Sequence, residues 1–273
     1  CDDLIQRLPQ PLATVKPRET PAARRRSSVA PDPLGALLPQ EIACYDTLLA
    51  QVRSSLEGLK NGLSGATALT FEMEQLYHSL IAQRVPDQWA KVSYSSVHSL
   101  GSWFNDLLMR VEFFKKWIRG GPPKSYWISA FFLPARIAAT VLQSHARLKD
   151  VSADTLSIRT EARTVYVDHL QRWAGSGVYI HGLFLDGAQW DNDAISLVEQ
   201  RKGTMYSEMP IIHIDCAAAA KAVDSEEIYE CPMYRTSSRG TSDFVMFVDL
   251  PSLHHEPSHW TLRGVALYGM LGE

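Results

Sequence analysis

Gly177-Val178-Tyr179-Ile180-His181-Gly182-Leu183-Phe184-Leu185-Asp186-Gly187-Ala188-Gln189-Trp190-Asp191 opens the part of the chain that decides its fold. Val, Ile, Tyr and Phe alternate with small or polar residues, and Gly and Asp cut the run into short pieces. That is the grammar of strands separated by tight turns. Two later blocks repeat it: Glu230-Cys231-Pro232-Met233-Tyr234-Arg235-Thr236, and His259-Trp260-Thr261-Leu262-Arg263-Gly264-Val265-Ala266-Leu267. Working outward, Leu156 and Ile158 alternate with Ser157 and Arg159. Val178 to Leu185, Ile211 to Ile214, Ile228 to Tyr234, Phe244 to Leu250 and Thr261 to Tyr268 all read as strands. The spacing predicts an antiparallel, barrel-like β subdomain over 151–273.

Before Asp150 the apolar period is 3.6 rather than 2. Ile42, Tyr45, Leu48, Leu49, Val52, Leu56 and Leu59 mark one face of a helix that Asn61-Gly62 ends. Thr70 is placed to cap the next helix, with Glu72 and Glu74 in its first turn, where the helix dipole favours negative charge. A third helix is predicted from Trp103 to Ile118, stopped by Gly120-Gly121-Pro122-Pro123, and a fourth from Ala135 to Leu148. These make a helical subdomain over 39–150 and an α+β protein overall. Residues 1–38 carry Pro9, Pro11, Pro17, Pro21, Pro31, Pro33 and the run Arg24-Arg25-Arg26-Ser27-Ser28, with few spaced apolar positions. They read as a flexible linker or arm, and Ser28 fits a basophilic kinase site.

The sequence has 273 residues, 45% of them apolar and 21% charged, with a formal net charge of −3. That balance offers no basic face for nucleic acid. The longest apolar run, Tyr126 to Leu133, is far short of the ~18 residues of a membrane span. No signal peptide is legible after Cys1-Asp2-Asp3, and the missing Met reads as a piece of something longer. Cys1, Cys44, Cys216 and Cys231 lack a CxxC pattern and are expected as reduced, buried thiols.

The chemistry-bearing patterns fall short of sites. Gly120-Gly121-Pro122-Pro123-Lys124-Ser125 imitates a phosphate loop, but its prolines remove the N–H donors such a loop needs. Gly62-Leu63-Ser64-Gly65-Ala66 misses a nucleophile elbow by one position and lies between helices. Metal ligation is the sharpest enzyme-like alternative, with His213, Cys216, Cys231, His254, His255 and His259 as donors. Strand alternation aims His213 and Cys216 at opposite faces, and His255 and His259, four apart, stand in a stretch that reads as loop. Asp186, Asp191 and Asp193 lack the regular spacing and terminal Glu of a calcium loop. The aromatics Trp103, Phe104, Phe114, Trp117, Trp127, Phe131 and Phe132 read as core before ligand pocket or partner surface.

Taken in order, several segments resemble the C-terminal domain of dynein heavy chains. Val85-Pro86-Asp87-Gln88-Trp89, Leu100 to Leu107 with Trp103 and Asp106, Tyr126-Trp127-Ile128-Ser129-Ala130-Phe131-Phe132, and Gln143 to Arg147 precede the strand blocks with Gly182, Trp190, Cys231, Pro232, Trp260, Arg263 and Gly264. The resemblance covers roughly 39–271, and the Cys-Pro-x-Tyr-x-Thr form with the His-Trp-x-x-Arg-Gly-Val-Ala-Leu ending resembles the axonemal type. Ala130 stands where the family usually has Gly, which suggests a divergent paralogue. The resemblance implies a non-catalytic domain that packs on the AAA+ motor ring of its own heavy chain and modulates microtubule-based motility, in the cytoplasm, at the cytoskeleton of a cilium or flagellum. It implies no cofactor here, ATP and Mg belonging to the upstream ring, and partners in that ring and, through other parts of the parent, microtubules. The ten named positions, from Trp103 to Gly264, are its family-signature residues, structural or interfacial rather than catalytic. Two rival readings stay open: a small-molecule-binding or enzymatic barrel using His181, His213 or Asp186 in its mouth, and an axonemal adaptor.

Overall fold

The computed structural model describes residues 1–17, 32–165, 167–170, 177–218 and 227–272. The run Arg24 to Ser28, with the Ser28 kinase site, lies outside them. The molecule divides into two compact units, one holding Leu38–Pro122 with the N-terminal segment, the other residues 32–37 and Pro123–Gly272.

The first unit is helical. After α1 (Asp2–Arg7) come α2 (Leu38–Leu63), α3 (Phe71–Ile81), the short α4 (Asp87–Ala90) and α5 (Leu100–Gly120). The 3.6-residue stripe of α2 is its buried face: Tyr45, Leu48, Leu49, Val52, Leu56 and Leu59 all go inside. On α5, Trp103, Phe104, Leu107, Val111 and Phe114 do the same. The α3 cap is the predicted one, Thr70 Oγ1 accepting from the Met73 amide at 3.3 Å. Thr70→Ala is expected to cost about 1 kcal/mol, read as a lowered urea midpoint. An unchanged midpoint would mean that the hydroxyl caps nothing that water does not replace.

The N-terminal segment departs from the expected arm. Leu8 and Leu12 are buried. Asp46 on α2 accepts the amides of Leu12 and Ala13 at 2.5 and 3.0 Å, and Arg53 donates to the carbonyls of Leu8 and Pro9. Two charged groups of α2 thus satisfy the backbone of a proline-rich segment that has no ladder of its own. Farther on, Leu34 and Leu37 are buried in the second unit, where Asp32 accepts from the Tyr126 hydroxyl at 2.6 Å.

The second unit carries the sheets, and here the antiparallel barrel needs correcting. The sheets are mixed and open. One has the order β1 (Tyr126–Trp127), β3 (Val178–His181), β8 (Ile211–Ala218), β2 (Leu156–Arg163), with β1 and β3 parallel. The other runs β10 (Phe244–Pro251), β9 (Ile228–Thr236), β11 (Ala266–Met270), β4 (Phe184–Asp186), β7 (Tyr206–Glu208), with β9 and β11 parallel. A small hairpin joins β5 (Gln189–Asp191) to β6 (Ser196–Val198).

Two boundaries also shift. The fourth predicted helix, α6 (Arg136–Lys149), belongs with the sheets, because its buried Ile137 and Val141 line the side that packs on β8 and β2. The helical unit therefore ends at Pro122 rather than at 150. The segment Thr261 to Tyr268 is not one strand: α7 (Pro257–Arg263) stops at Gly264, left-handed at φ +66°, and β11 begins after it. Proline near the helix start and glycine just past its end are the ordinary punctuation of such an element.

Candidate functional site

In the helical unit, Trp103 is 1% exposed and stacks on Trp89 and Tyr94, with ring centroids at 5.7 and 6.3 Å. Its indole N–H donates to Ser93 Oγ at 3.3 Å. One turn on, the Asp106 carboxylate accepts from Arg110 Nε at 2.7 Å, and both side chains are almost wholly buried. The Arg110 guanidinium sits 3.8 Å from the Tyr94 ring centre. Burial pushes the Tyr45 and Tyr94 hydroxyls well above their ordinary range. The group is a desolvated polar knot inside an aromatic core. A cavity of about 200 Å³ in this unit is lined by Ser55, Thr70, Met73 and neighbours.

In the sheet unit, Gly182 has φ +83°, and a Cβ there would stand 2.6 Å from Trp127 Cδ1, so these two signature positions fit each other. Cys231 is fully buried on β9, where burial pushes its thiol up, and Pro232 faces Phe247 across the β9–β10 ladder. Trp190 on β5 is 5% exposed, and its indole N–H has no hydrogen-bond partner among the described residues. Trp260, Arg263 and Gly264 meet around α7. Trp260 is fully buried and donates to Ser252 Oγ at 2.6 Å. Arg263 pairs with Glu199 at 2.7 Å, and the Gly264 carbonyl accepts from Arg239 at 2.8 Å. The ten positions thus form several separate packing and hydrogen-bonding nodes.

The residues of the rival barrel fall in two sheets, His181 and His213 on the paired strands β3 and β8 and Asp186 on β4. His181 Nδ1 lies 2.8 Å from Ser125 Oγ, beside a serine that is itself 3% exposed. His213 packs against Tyr179 at 4.9 Å. Asp186 is in the other sheet, held by Arg239 at 3.1 Å and by the Tyr268 hydroxyl at 3.3 Å. Burial lowers His181 from 6.5 to about 4. It is therefore neutral when folded, while the unfolded protein takes up a proton near 6.5. Its contribution is complete above pH 6.5 and is lost as pH falls toward 4, at most about 3 kcal/mol. Urea unfolding across that window should show the loss, and His181→Gln should flatten it. An equally steep loss in the variant would assign the proton to another group.

The loop-like patterns have structural employment. Gly121, at φ +81°, ends α5, and Lys124 donates to the Leu170 carbonyl at 2.5 Å. Ser64 donates to the Asn61 carbonyl at the end of α2. Asp191 accepts the amides of Asp193 and Ala194, which hold its carboxyl below the usual carboxylate range. Cys216 and Cys231 are buried as expected, whereas Cys44 is half-buried and Cys1 exposed. Of the seven aromatics expected in a core, six are buried and Trp127 is half-buried; they divide between the two units.

Two of the candidate metal donors meet a partner that the sequence did not offer. His255 and His259 do come together, against Glu199, which is 60 positions from His259. The local signal for it is their four-residue spacing around Pro257, the residue that starts α7 where the sequence predicts loop and strand.

A helical unit is followed by a unit of mixed sheets, and the signature residues lie in packing and hydrogen-bonding nodes within each. Residues 1–269 match the C-terminal domain of the dynein heavy chain, and the protein belongs to that family. The match includes the proline-rich start, which the sequence resemblance left out. Similar proteins include human dynein axonemal heavy chain 2, 38% identical over 242 residues, and human dynein axonemal heavy chain 1, 35% identical over 242 residues. Another is the Chlamydomonas reinhardtii dynein-1-beta heavy chain of the flagellar inner arm I1 complex, 34% identical over 269 residues. These matches cover 87%, 86% and 97% of this sequence but 5%, 6% and 6% of the relatives. No helix among the described residues is long and apolar enough to cross a membrane.

Proposed function

We propose that this protein is the C-terminal domain of an axonemal dynein heavy chain, located at the cytoskeleton of a cilium or flagellum. In this reading it packs on the AAA+ ring of its own heavy chain and modulates microtubule-based motility. The observation that carries the reading is the family match over nearly the whole sequence, together with the axonemal names of its relatives. The domain itself does no catalysis and takes no nucleotide; ATP and Mg act in the upstream ring, and microtubules are met by other parts of the parent. Its means are contact and stiffness. A body that touches several ring modules unequally changes their relative energies, and so biases the ring's working cycle. Apolar side chains are available for such contact in each unit: Phe71 and Ile81 on α3 are 71% and 64% exposed, and Leu262 on α7 is 89% exposed.

The test is a motor cut before Gly177 and compared with the full-length motor from one preparation, after both are shown to be folded. Velocity, run length or stall force should change while nucleotide binding by the ring persists. Indistinguishable motility and ATPase coupling would reject modulation and leave a passive structural cap.

A further inference from the structure

Glu199 follows β6, and each of its carboxylate oxygens has a separate occupation. Oε2 is held by Arg263 Nη1 at 2.7 Å, which fixes the carboxylate plane. Oε1 faces two imidazoles, His259 Nε2 at 2.8 Å and His255 Nε2 at 3.8 Å. The two rings lie nearly parallel, centroids 4.2 Å apart at 13°, and both stand edge-on to the buried Trp260. One ligand atom from each of the three residues lies within 4.8 Å of the other two. His259 is on the first turn of α7, and His255 lies in the bend just ahead of the cap residue Glu256, its ring stacked on that of His259. All three side chains reach solvent, being between 34% and 46% exposed, so an ion has a path of entry.

Two imidazole nitrogens and one carboxylate oxygen form a donor set for zinc-class ions. Calcium and magnesium take oxygen ligands instead. Zinc–nitrogen bonds of about 2.0–2.1 Å at a tetrahedral centre need donors about 3.3 Å apart. The contacts to Oε1 are 2.8 and 3.8 Å, and a ring rotation that takes the stacked imidazoles out of parallel is what aims both Nε2 atoms at one ion. Arg263 serves as an outer partner that orients the ligating carboxylate. We propose that Glu199, His255 and His259 form a binding site for a divalent transition-metal ion of the zinc class. Three protein donors leave a position for water or for a donor from a bound partner.

The probe is Co²⁺, whose visible absorption reports its coordination, added to the 273-residue protein at pH 7.5 with Zn²⁺ as competitor. One equivalent should saturate, Zn²⁺ should displace it, and Zn²⁺ should raise the melting temperature. His259→Gln, His255→Ala and Glu199→Gln should each weaken binding at least about tenfold. His254→Ala, outside the set, should leave it unchanged. Circular dichroism of every variant separates ligand loss from unfolding, and Glu199→Gln keeps the shape of the side chain where a histidine variant does not fold. Absence of saturable binding to the wild-type protein would overturn the proposal, as would undiminished affinity in folded Glu199→Gln protein or a loss confined to His254→Ala.

Discussion

Asp106→Ala is expected to destabilise the helical unit by about 3–5 kcal/mol. The reason lies in what stays behind. Arg110 is 2% exposed, and its guanidinium keeps its charge whatever its surroundings. With Asp106 gone, the face of Tyr94 at 3.8 Å still attracts that charge, but a cation–π contact is worth only about 2 kcal/mol even when desolvated. Tyr45 and Tyr94, whose hydroxyls burial drives strongly toward the neutral form, supply no countercharge. The single change therefore measures the cost of leaving the buried Arg110 without its carboxylate along with the worth of the ion pair. The double change Asp106→Leu with Arg110→Met removes both ions together and should recover most of the loss. Urea unfolding of the wild type, Asp106→Ala, Asp106→Leu, Arg110→Met and the double variant makes the comparison. A single variant within about 1 kcal/mol of wild type would mean that water reaches Arg110 and that the knot is not desolvated.

How much of this was legible in the sequence depends on where each stabilising partner sits. The α2 and α5 stripes are readable because a helix writes its buried face locally, and Tyr45, Leu48, Leu56, Trp103 and Phe114 fall inside as the period requires. Asp106–Arg110, four residues apart on one helix, is within reach of the same rule, but nothing local says that both are buried. The N-terminal segment departs from its expected flexibility because its order comes from Asp46 and Arg53 on another element. Counting prolines in 1–38 cannot reveal those carbonyl and amide partners, although Leu8 and Leu12 have a helical spacing.

The sheets show the same limit. Alternation locates the strand residues of β8, β9 and β10 well, since Ile212, Ile214, Cys231, Met233, Val248 and Leu250 are the inward positions. It cannot give their order. A parallel pair such as β9 and β11 needs a crossover, and the crossover is hidden when Trp260-Thr261-Leu262-Arg263 is taken for strand. Pro257 and Gly264 are the available signals for a short helix, which carries His259, while His255 stays in the bend before its cap residue Glu256. Glu199 is out of reach of any local rule. Gly182 is legible as a family-signature residue, but its cause is the Trp127 ring lying where a Cβ would go.

Trp260→Ala should remove about 3–5 kcal/mol from the sheet unit. The indole is fully buried, fills the space behind the two imidazoles, and donates to Ser252 Oγ, which in turn donates to the His255 carbonyl. Its ring packs beside a helix end that its own carbonyl helps to close. The Trp260 carbonyl accepts the Val265 amide at 3.1 Å and the Thr261 carbonyl accepts the Gly264 amide at 3.0 Å, closing the left-handed helix end from which β11 departs. β11 is the central strand of its sheet, paired with β9 on one side and β4 on the other, so its point of entry governs both ladders. Trp260→Phe keeps most of the buried volume and loses the N–H donor; it should cost about 1–2 kcal/mol. Urea midpoints rank the two variants, and hydrogen exchange locates the damage. Protection should fall first at Val265 and through Ala266–Met270 in the alanine variant, while the helices of the other unit keep theirs. Equal losses for Ala and Phe would make the hydrogen bond to Ser252 the dominant contribution. Undisturbed protection in Ala266–Met270 would show that β11 is held by its two neighbours alone, without help from the helix that introduces it.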